Sequence, residues 1–220
     1  MWEITGSRQN KKNMMKIIGI TGGVGSGKSR VLSYIEEISA KKNIAAVICQ
    51  ADHVAWELQK PGNDCYQKIV AHFGTEILNA DLTINRKLLG QIVFHDEKEL
   101  LLLNEITHPA VKCEITDRIR GAEKSGIRLF VLEAALLIEE HYDEICDELW
   151  YIYTDVQIRR QRLKESRQYT DEKIDAIIST QLSEETFRKK CNRIIENSGD
   201  FDLTQNQIEQ AIKELERITE

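Results

Sequence analysis

Gly22-Gly23-Val24-Gly25-Ser26-Gly27-Lys28-Ser29 is the stretch that decides the fold of this chain. It fits the pattern G-x-x-x-x-G-K-[ST] at every fixed position. Its glycines permit backbone dihedrals that other residues avoid, so the main chain can close around a phosphate without Cβ clashes. Successive N–H groups then form an anion-binding nest at the start of a helix. The stretch therefore predicts a phosphate-binding loop.

The polar residues of this loop predict a nucleoside triphosphate with Mg²⁺ as its ligand. Lys28 is expected to bridge the β and γ phosphates, and Ser29 to place its hydroxyl on Mg²⁺. The fingerprint of dinucleotide-binding proteins does not fit, because Lys28 stands where its third glycine would be. The loop residues expected to bind the nucleotide are Gly23, Val24, Gly25, Ser26, Gly27, Lys28 and Ser29.

The residues on either side of the loop predict a parallel α/β sheet. A short, β-branched and continuously apolar run at 16–20 precedes the loop, as expected of a strand that is buried on both faces. Apolar residues at helical spacing follow between 31 and 38, and a second buried strand is predicted at 44–49. Strand, loop, helix and strand in this order form the unit of a parallel sheet.

Farther along the chain, the apolar pattern predicts three more strands and a closing helix. We expect an α/β fold of the P-loop nucleoside-triphosphate-hydrolase type, in three layers, with about five parallel strands and helices on both faces. A helical insertion and a lid are added to these layers. The strands are predicted at 127–132, 149–153 and 193–195, the closing helix at 204–218, and helices of the insertion from Pro61, over 85–94 and from Pro109.

These patterns predict one domain with an extension in front of it. Residues 1–13 are polar and are interpreted as an N-terminal extension, and residues 14–220 as a single P-loop domain. Within that domain we assign the core to 14–53, 127–155 and 190–220, the helical insertion to about 54–126, and the lid to about 156–189.

The composition excludes several classes of protein. The 220 residues include 30 basic and 36 acidic side chains, and the net charge of −6 argues against a general nucleic-acid binder. No apolar run approaches the length of a membrane span, and residues 1–13 lack the apolar segment of a signal peptide. Five widely spaced cysteines without a C-x-x-C pair are typical of reduced thiols. We expect a cytoplasmic protein without nucleic-acid or membrane partners.

The loop alone leaves several kinds of P-loop protein open. A GTPase would carry N-K-x-D, but the only Asn-Lys, at 10–13, precedes the loop and ends in Asn. A motor protein or a DNA-dependent ATPase would usually be longer and more basic. We therefore favour a small-molecule kinase, in which the loop holds ATP and the rest of the chain builds an acceptor pocket and a lid.

Two further features favour a kinase. Asp52 follows the second strand at its carboxyl end, where ligands bind in open parallel sheets, and its carboxylate could accept the proton of an attacking hydroxyl. The alternative is that Asp52 caps the helix predicted at 53–59. The stretch 159–167 contains four arginines, which form either one face of a solvated helix or a lid over the transferring phosphates.

These residues and several shorter motifs resemble the dephospho-CoA kinase family over about residues 16–212. The motifs are, in order, Thr21 to Ser29; Gln50-Ala51-Asp52-His53-Val54-Ala55, for D-A-D-x-[IV]-A; Pro61-Gly62; Phe73-Gly74; His108-Pro109; Ala135-Leu136-Leu137-Ile138-Glu139, for P-L-L-x-E; Gln181 after the arginines; and Ile194-Ile195-Glu196-Asn197-Ser198-Gly199, for V-I-x-N-x-G. The chain departs from the family where Gln50 replaces the first acid of D-A-D, where Ala135 replaces Pro, and where Arg30 stands in place of the usual Thr. The spacing of the arginines also differs by a residue or two.

The resemblance implies transfer of the γ-phosphoryl group of ATP to the ribose 3′-hydroxyl of dephospho-CoA, which gives coenzyme A and ADP. It implies that Mg·ATP binds on Gly25 to Arg30 and that Asp52 deprotonates the acceptor hydroxyl. Lys28 and the lid arginines would stabilise the transferring group. The lid arginines placed by the resemblance are Arg162 and Arg167.

Other residues receive roles from the resemblance or from their position, each beside an alternative where one exists. His108 would shape the acceptor pocket or cap the helix that follows it, and Leu136 would contact the substrate or pack in the core. Glu133 would reach Mg²⁺ through water or face solvent at the end of its strand. Asn197 and Gly199 are placed near the adenine by the resemblance alone.

Two other functions stay open at this point. A kinase of another acceptor, such as a nucleoside, a nucleoside monophosphate or a sugar acid, would share the loop and the lid but lack the later motifs. A nucleotide-binding regulator without transfer activity is supported only by the departures at Gln50 and Ala135. We expect a monomer, and an oligomer is the alternative.

Overall fold

The computed structural model, which describes the backbone of residues 15–219 and the side chains of residues 15–215, contains a five-stranded parallel sheet. Neighbouring strands follow the order β2-β3-β1-β4-β5. The strands are β1 (Lys16–Thr21), β2 (Ala46–Gln50), β3 (Leu129–Glu133), β4 (Glu148–Tyr153) and β5 (Arg193–Glu196). The predicted parallel sheet and its number of strands are confirmed. The extension predicted at 1–13 lies outside the described residues.

β1 lies in the middle of the sheet, where it pairs with a strand on each side. Ile18 is opposite Val131 of β3 and Glu148 of β4. Ile18 and Ile20 have no exposed surface, and β3 is buried along its whole length. Because these strands are parallel, their carboxyl ends meet at one edge of the sheet. The phosphate loop follows β1 and therefore lies at that edge.

Helices account for most of the remaining chain. They are α1 (Lys28–Lys41), α2 (Ala51–Leu58), α3 (Asp64–Phe73), α4 (Arg86–His95), α5 (Glu97–Lys124), α6 (Val156–Arg167), α7 (Asp171–Ser179), α8 (Glu184–Lys190) and α9 (Phe201–Thr219). Among the described residues, no helix combines the length and the apolar character needed to cross a membrane. The chain divides into two compact units. The larger one contains the residues up to Cys49 and from Ala122 onward, and the smaller one is Gln50–Gly121.

The larger unit has an apolar core in which α1 and α9 pack against the sheet. Val31 and Ile35 of α1 have no exposed surface, and neither have Ile208 and Ala211 of α9. All four belong to one cluster with Trp150 of β4, which is also fully buried. Each fully buried large aliphatic side chain contributes about 1.5–3 kcal/mol to the stability of such a core.

The smaller unit has an apolar core of its own. Ile69 of α3 and Ile77, in the turn after it, are fully buried. α3 begins at Asp64 and not at Pro61, where the sequence predicted it. α4, predicted over 85–94, spans Arg86–His95. Asn85 is its N-cap, because the Asn85 side chain accepts a hydrogen bond from the N–H of Leu88 at 3.2 Å.

Pro109 lies inside α5, so the prediction that it begins a helix is wrong. A proline inside a helix costs about 3 kcal/mol, because its ring lacks an N–H and crowds the preceding turn. The residues after it on α5 include Val111, Ile115 and Ile119, all buried. At about 1.5–3 kcal/mol each, their burial exceeds the cost of the proline. The alternative that His108 caps a helix beginning at Pro109 is therefore wrong as well.

None of the five cysteines, all of which lie in the described part of the chain, forms a disulfide. Burial, together with the negative charges of Asp147 and Asp143, raises the pKa of Cys146 to about 12. Burial and Asp143 raise the pKa of Cys191 to about 11. Since the thiolate is the reactive form of cysteine, the raised pKa values disfavour reaction of these two thiols at neutral pH.

Gly19→Ala is expected to destabilise the sheet. A Cβ on Gly19 would lie 2.7 Å from Cδ2 of Leu149 and 2.8 Å from Sγ of Cys146, so its neighbours would have to move. We expect urea denaturation to show a loss of about 1–3 kcal/mol in the free energy of unfolding. Gly121→Ala is the control, because a Cβ there would meet nothing within 4 Å. Equal stabilities of the two variants would contradict the packing around β1.

Candidate active site

The phosphate loop runs from Gly22 to Gly27, between the end of β1 and the start of α1. Gly25 and Gly27 have φ angles of 78° and 86°, in the left-handed region that side chains disfavour. A Cβ on Gly27 would also clash with the side-chain amide of Asn197. The loop thus follows a strand and opens a helix, which is the context that the sequence pattern requires.

Lys28 is anchored to the backbone of the loop and lies beside an acid. Its Nζ donates a hydrogen bond to the carbonyl oxygen of Gly22 at 2.8 Å and lies 3.9 Å from Oε1 of Glu133. Glu133 ends β3, opposite Ile20 of β1. Because only 7% of Glu133 is exposed, the alternative that it faces solvent is wrong. Strand pairing therefore brings the predicted phosphate-binding cation and the predicted metal-binding acid together.

Asn197 supports the loop from the end of β5. Its Nδ2 donates to the carbonyl oxygen of Ser26 at 2.7 Å, and its Oδ1 accepts from Oγ1 of Thr204 at 3.1 Å. Thr154, which follows β4, donates to the same Ser26 carbonyl at 3.0 Å. Asn197 is 3% exposed, so its side chain is committed to the loop backbone. Gly199 is exposed, and a Cβ there would meet nothing within 4 Å.

Two residues of the segment predicted as the lid, Arg159 and Gln181, contact the loop. Nε of Arg159 donates to the carbonyl oxygen of Val24 at 3.0 Å, and its Nη2 donates to Oε1 of Gln181 at 3.0 Å. The same Gln181 oxygen accepts from the N–H of Val24 at 3.3 Å. Arg159 and Gln181 thereby bind both polar backbone groups of Val24.

Of the two arginines that the resemblance placed in the lid, one reaches the scaffold of the loop. Nη2 of Arg162 donates to the carbonyl oxygen of Asn197 at 2.9 Å. Burial lowers the pKa of the Arg162 guanidinium, and the charge of Arg30 lowers it further. Arg167 is exposed in the last turn of α6, with its guanidinium carbon 5.9 Å from the ring centre of Tyr169.

The remaining predicted residues of the larger unit lie at or near its surface. Ser29 is exposed in the first turn of α1, so its hydroxyl is accessible to a ligand. Arg30 is also exposed and stacks on Phe201, with 3.8 Å between the guanidinium carbon and the ring centre. Leu136 is 48% exposed, whereas its neighbour Leu137 is fully buried. Packing therefore uses the second leucine and leaves the first accessible.

In the smaller unit, Asp52 lies in the first turn of α2. The N-cap of this helix is Gln50, so the alternative that Asp52 is the capping residue is wrong. Asp52 is exposed and lines a groove of about 380 Å³. Other lining residues are Ala55, Trp56, Gln59, Arg86, Leu89 and Val93. An acid, a base and an apolar wall suit a ligand with apolar and charged parts.

Two cations lie beside Trp56, the partly exposed aromatic side chain of this groove. Trp56 is 42% exposed. Nζ of Lys60 lies 3.9 Å from the centre of its ring, and the guanidinium carbon of Arg86 lies 5.9 Å from it. Such a ring with two adjacent cations is able to bind a planar or anionic group. His108 lies farther along this unit, half-buried within α5.

A magnesium site in this chain would be built from few protein ligands. Within the part of the chain that the structure describes, no three His, Cys, Asp or Glu side chains form a group able to hold a metal ion. Kinase Mg²⁺ sites need no such group, because one or two protein ligands join water and the substrate phosphates. The accessible Ser29 hydroxyl and the Glu133 carboxylate beside Lys28 fit this donor set.

Comparison with known proteins assigns the family. The family model for dephospho-CoA kinase matches residues 16–202. The chain belongs to the dephospho-CoA kinase family. The dephospho-CoA kinase of Halalkalibacterium halodurans is 38% identical over 206 residues, which cover 93% of this chain and 98% of the relative.

Solved structures agree with this membership at the level of the fold. A protein from Thermus thermophilus has a TM-score of 0.75 at 22% identity, with 91% of this chain and 97% of that chain covered. The dephospho-CoA kinase from Campylobacter jejuni has a TM-score of 0.67 at 24% identity, with 93% and 98% covered. These likenesses confirm the predicted fold class.

In this member of the dephospho-CoA kinase family, the sequence did not indicate that Arg159 is the arginine that contacts the phosphate loop. Arg159 lies four residues before Leu163, which is 1% exposed and marks the inward face of α6. Arg167 lies four residues after Leu163, so helical periodicity alone does not separate the two arginines. They are about 12 Å apart along the helix axis, and only the tertiary structure shows that the first turns of α6 approach the loop.

Asn197→Asp is expected to weaken the support of the loop. Aspartate has nearly the same shape but no N–H to donate to the Ser26 carbonyl. We expect a loss of about 1–3 kcal/mol in the free energy of unfolding, together with weaker Mg·ATP binding in calorimetric titration. Asn206→Asp, at an exposed position of α9, is the matched control. Equal effects of the two substitutions would contradict the role given to Asn197.

Proposed function

We propose that this chain transfers the γ-phosphoryl group of ATP to the ribose 3′-hydroxyl of dephospho-CoA, which gives coenzyme A and ADP. This is the final step of coenzyme A biosynthesis. The observation that carries the proposal is the phosphate loop with its anchored Lys28, in a chain that belongs to the dephospho-CoA kinase family.

The larger unit would supply the nucleotide side of the reaction. Backbone N–H groups from Gly23 to Arg30 would bind the phosphates of ATP at the start of α1. Lys28 would neutralise charge on the β and γ phosphates. Open space beside Gly199 would leave room for the adenine. Arg162 and Arg167 of the lid, about 156–189, would provide further positive charge.

The smaller unit would supply the acceptor side, so we propose that the insertion at about 54–126 binds dephospho-CoA. The acceptor's 3′ oxygen forms a bond to the γ phosphorus while the bond to the β–γ bridging oxygen breaks, and that electron pair leaves with ADP. The hydroxyl proton passes to the carboxylate of Asp52. His108 and the exposed Leu136 are further candidates for contact with the acceptor.

Mg²⁺, when bound, would neutralise the negative charge that the phosphates carry. Ser29 and Glu133 would hold it, Glu133 through water. Lys28 would keep its own place beside Glu133 through its hydrogen bond to Gly22.

The proposal includes the setting in which the enzyme works. Five cysteines outside any disulfide fit a reducing compartment, which supports a cytoplasmic location. Because one chain carries both the nucleotide loop and the acceptor groove, we propose that the enzyme acts as a monomer.

The direct experiment measures ADP release from Mg·ATP with dephospho-CoA, and with adenosine, AMP and shikimate as control acceptors. We expect strong stimulation by dephospho-CoA alone. Stimulation by one of the controls would instead show a kinase of another acceptor. ATP binding without any acceptor-dependent release would show a nucleotide-binding regulator, and Gln50→Asp would then test whether the departure at that position removed the activity.

Asp52→Asn is expected to lower kcat about 10²–10⁴-fold, because an amide does not accept the hydroxyl proton. Mg·ATP affinity should stay within about twofold, since the phosphates bind to the other unit. Asp64→Asn is the control, because Asp64 also lies in the first turn of a helix, α3, and is exposed. Near-normal kcat in Asp52→Asn would remove Asp52 from the mechanism.

Ser29→Ala is expected to raise the Mg²⁺ concentration that gives half-maximal activity, because one of few protein ligands is lost. A Mg²⁺ titration at fixed ATP would measure the shift, which we expect to be about tenfold. Ser33→Ala, one turn farther along α1 and exposed, is the control. An unchanged Mg²⁺ requirement in Ser29→Ala would contradict the proposed ligand set.

A further inference from the structure

Four cations of α6 fall into two groups according to their partners. Arg160 pairs with Asp175 and, at 3.0 Å, with Asp171. Lys164 lies 2.8 Å from Asp171. The charges of this first group are neutralised between α6 and α7, so Arg160 and Lys164 serve the structure of the lid.

Arg159 and Arg162 form the second group. Among the described side chains, no carboxylate lies within 4.0 Å of either guanidinium, and both donate to neutral oxygens instead. Burial lowers the pKa of both groups. A half-buried cation without a counterion at close range is stabilised by any anion that reaches it. These two arginines therefore have the electrostatic character of an anion site.

Arg159 occupies a defined place over the loop. A Cβ on Gly23 would clash with its guanidinium, so the absent side chain of Gly23 makes room for it. Nζ of Lys28 is bonded to the adjacent residue, Gly22. In loops of this pattern the lysine reaches the β and γ phosphates. Arg159 and Lys28 thus flank the same end of the loop, where the γ phosphate is expected.

We propose that Arg159 contacts the γ-phosphoryl group during transfer and that Gln181 is a positioning residue that acts through Arg159. This inference rests on the proposed function. The transfer moves the phosphoryl group from the β–γ bridging oxygen to the acceptor oxygen, and the hydroxyl proton goes to Asp52. Arg159 neither gains nor loses a proton in this step. Its fixed charge stabilises the charge on the equatorial oxygens.

The hydrogen bonds of Arg159 leave donors available for a phosphate. A guanidinium has five N–H donors, of which Val24 and Gln181 take one each. The remaining N–H groups suit the forked binding of phosphate oxygens. Gln181 also accepts from the N–H of Val24, so it fixes Arg159 relative to the loop. The arginine is therefore oriented before the nucleotide arrives, which lowers the cost of reorganisation.

The first test compares Arg159→Ala with Arg160→Ala, its neighbour on the same helix. We expect kcat to fall about 10²–10³-fold in Arg159→Ala, at the lower end for an arginine finger because Lys28 and Arg162 share the charge. Arg160→Ala should lose no more than about threefold, since its ion pairs have exposed carboxylates. Similar losses in both variants would mean that a loosened lid is the cause, and would overturn the proposal.

Chemical rescue separates a direct role from a structural one. Added guanidinium ion should restore part of the activity of Arg159→Ala, because it supplies the missing charge in the space left by the side chain. It should not restore activity lost in Arg160→Ala. If Arg159→Ala does not fold, as judged by circular dichroism, Arg159→Lys replaces it. The expected loss of kcat then comes from the forked pair of guanidinium N–H groups, which lysine lacks. A wild-type rate in the variant used would overturn the proposal.

A binding measurement keeps this inference separate from the proposed function. Arg159→Ala should weaken binding of Mg·AMP-PNP about tenfold and change that of Mg·ADP less than about twofold, because only the former carries a γ phosphate. This comparison needs no acceptor. If wild-type protein fails to phosphorylate dephospho-CoA, the proposed function fails, and the two affinities still decide the role of Arg159. Equal weakening for both nucleotides would overturn it.

A double-substitution cycle tests the role of Gln181. Gln181→Ala alone should lower kcat about tenfold, through misplacement of Arg159. If Gln181 acts through Arg159, Arg159→Ala with Gln181→Ala should be no slower than Arg159→Ala alone. Independent, multiplying effects would show that Gln181 acts by another route and would overturn its positioning role.

Discussion

The carbonyl group of Ser26 is the point on which the phosphate loop depends. It accepts hydrogen bonds from Thr154 and Asn197, which directly follow β4 and β5. Because a peptide is planar, fixing this carbonyl also fixes the direction of the next N–H, that of Gly27. The glycines permit the conformation of the loop without selecting it. The residues at the carboxyl ends of β4 and β5 hold the loop in this conformation.

Much of the fold could be predicted from the sequence, because buried parallel strands are short, continuous apolar runs. The run predicted at 16–20 is β1, Lys16–Thr21, and its register with β3 and β4 buries it on both sides. The boundary at Pro109 could not be predicted in the same way. A local rule about proline is overridden there by the burial of Ile115 and Ile119, which only the packed smaller unit reveals.

The candidate site residues could be predicted where a single motif determines both the residue types and the backbone conformation. The phosphate-loop motif does this for Lys28 and Ser29. It was less predictable where the partner lies far along the chain. Glu133 adjoins Lys28 only because β3 pairs with β1, and the sequence alone left its burial open. The arginines of α6 were hard to assign for the same reason, since their sequence does not show which end of the helix approaches the loop. The position of Arg159 at the loop is therefore known only from its tertiary contact with Val24.

The ion pairs between α6 and α7 bear on the contact between Gln181 and the phosphate loop. Their carboxylates, on Asp171 and Asp175, are exposed, and such pairs contribute little to stability because water screens both charges. Dissolved salt screens them further, over a distance of about 8 Å at physiological ionic strength. Gln181 closely follows α7, and its bond to Val24 depends on where α7 lies. Because each of these pairs is weak even without salt, the contact between Gln181 and Val24 should tolerate wide changes in the ionic strength of the surroundings.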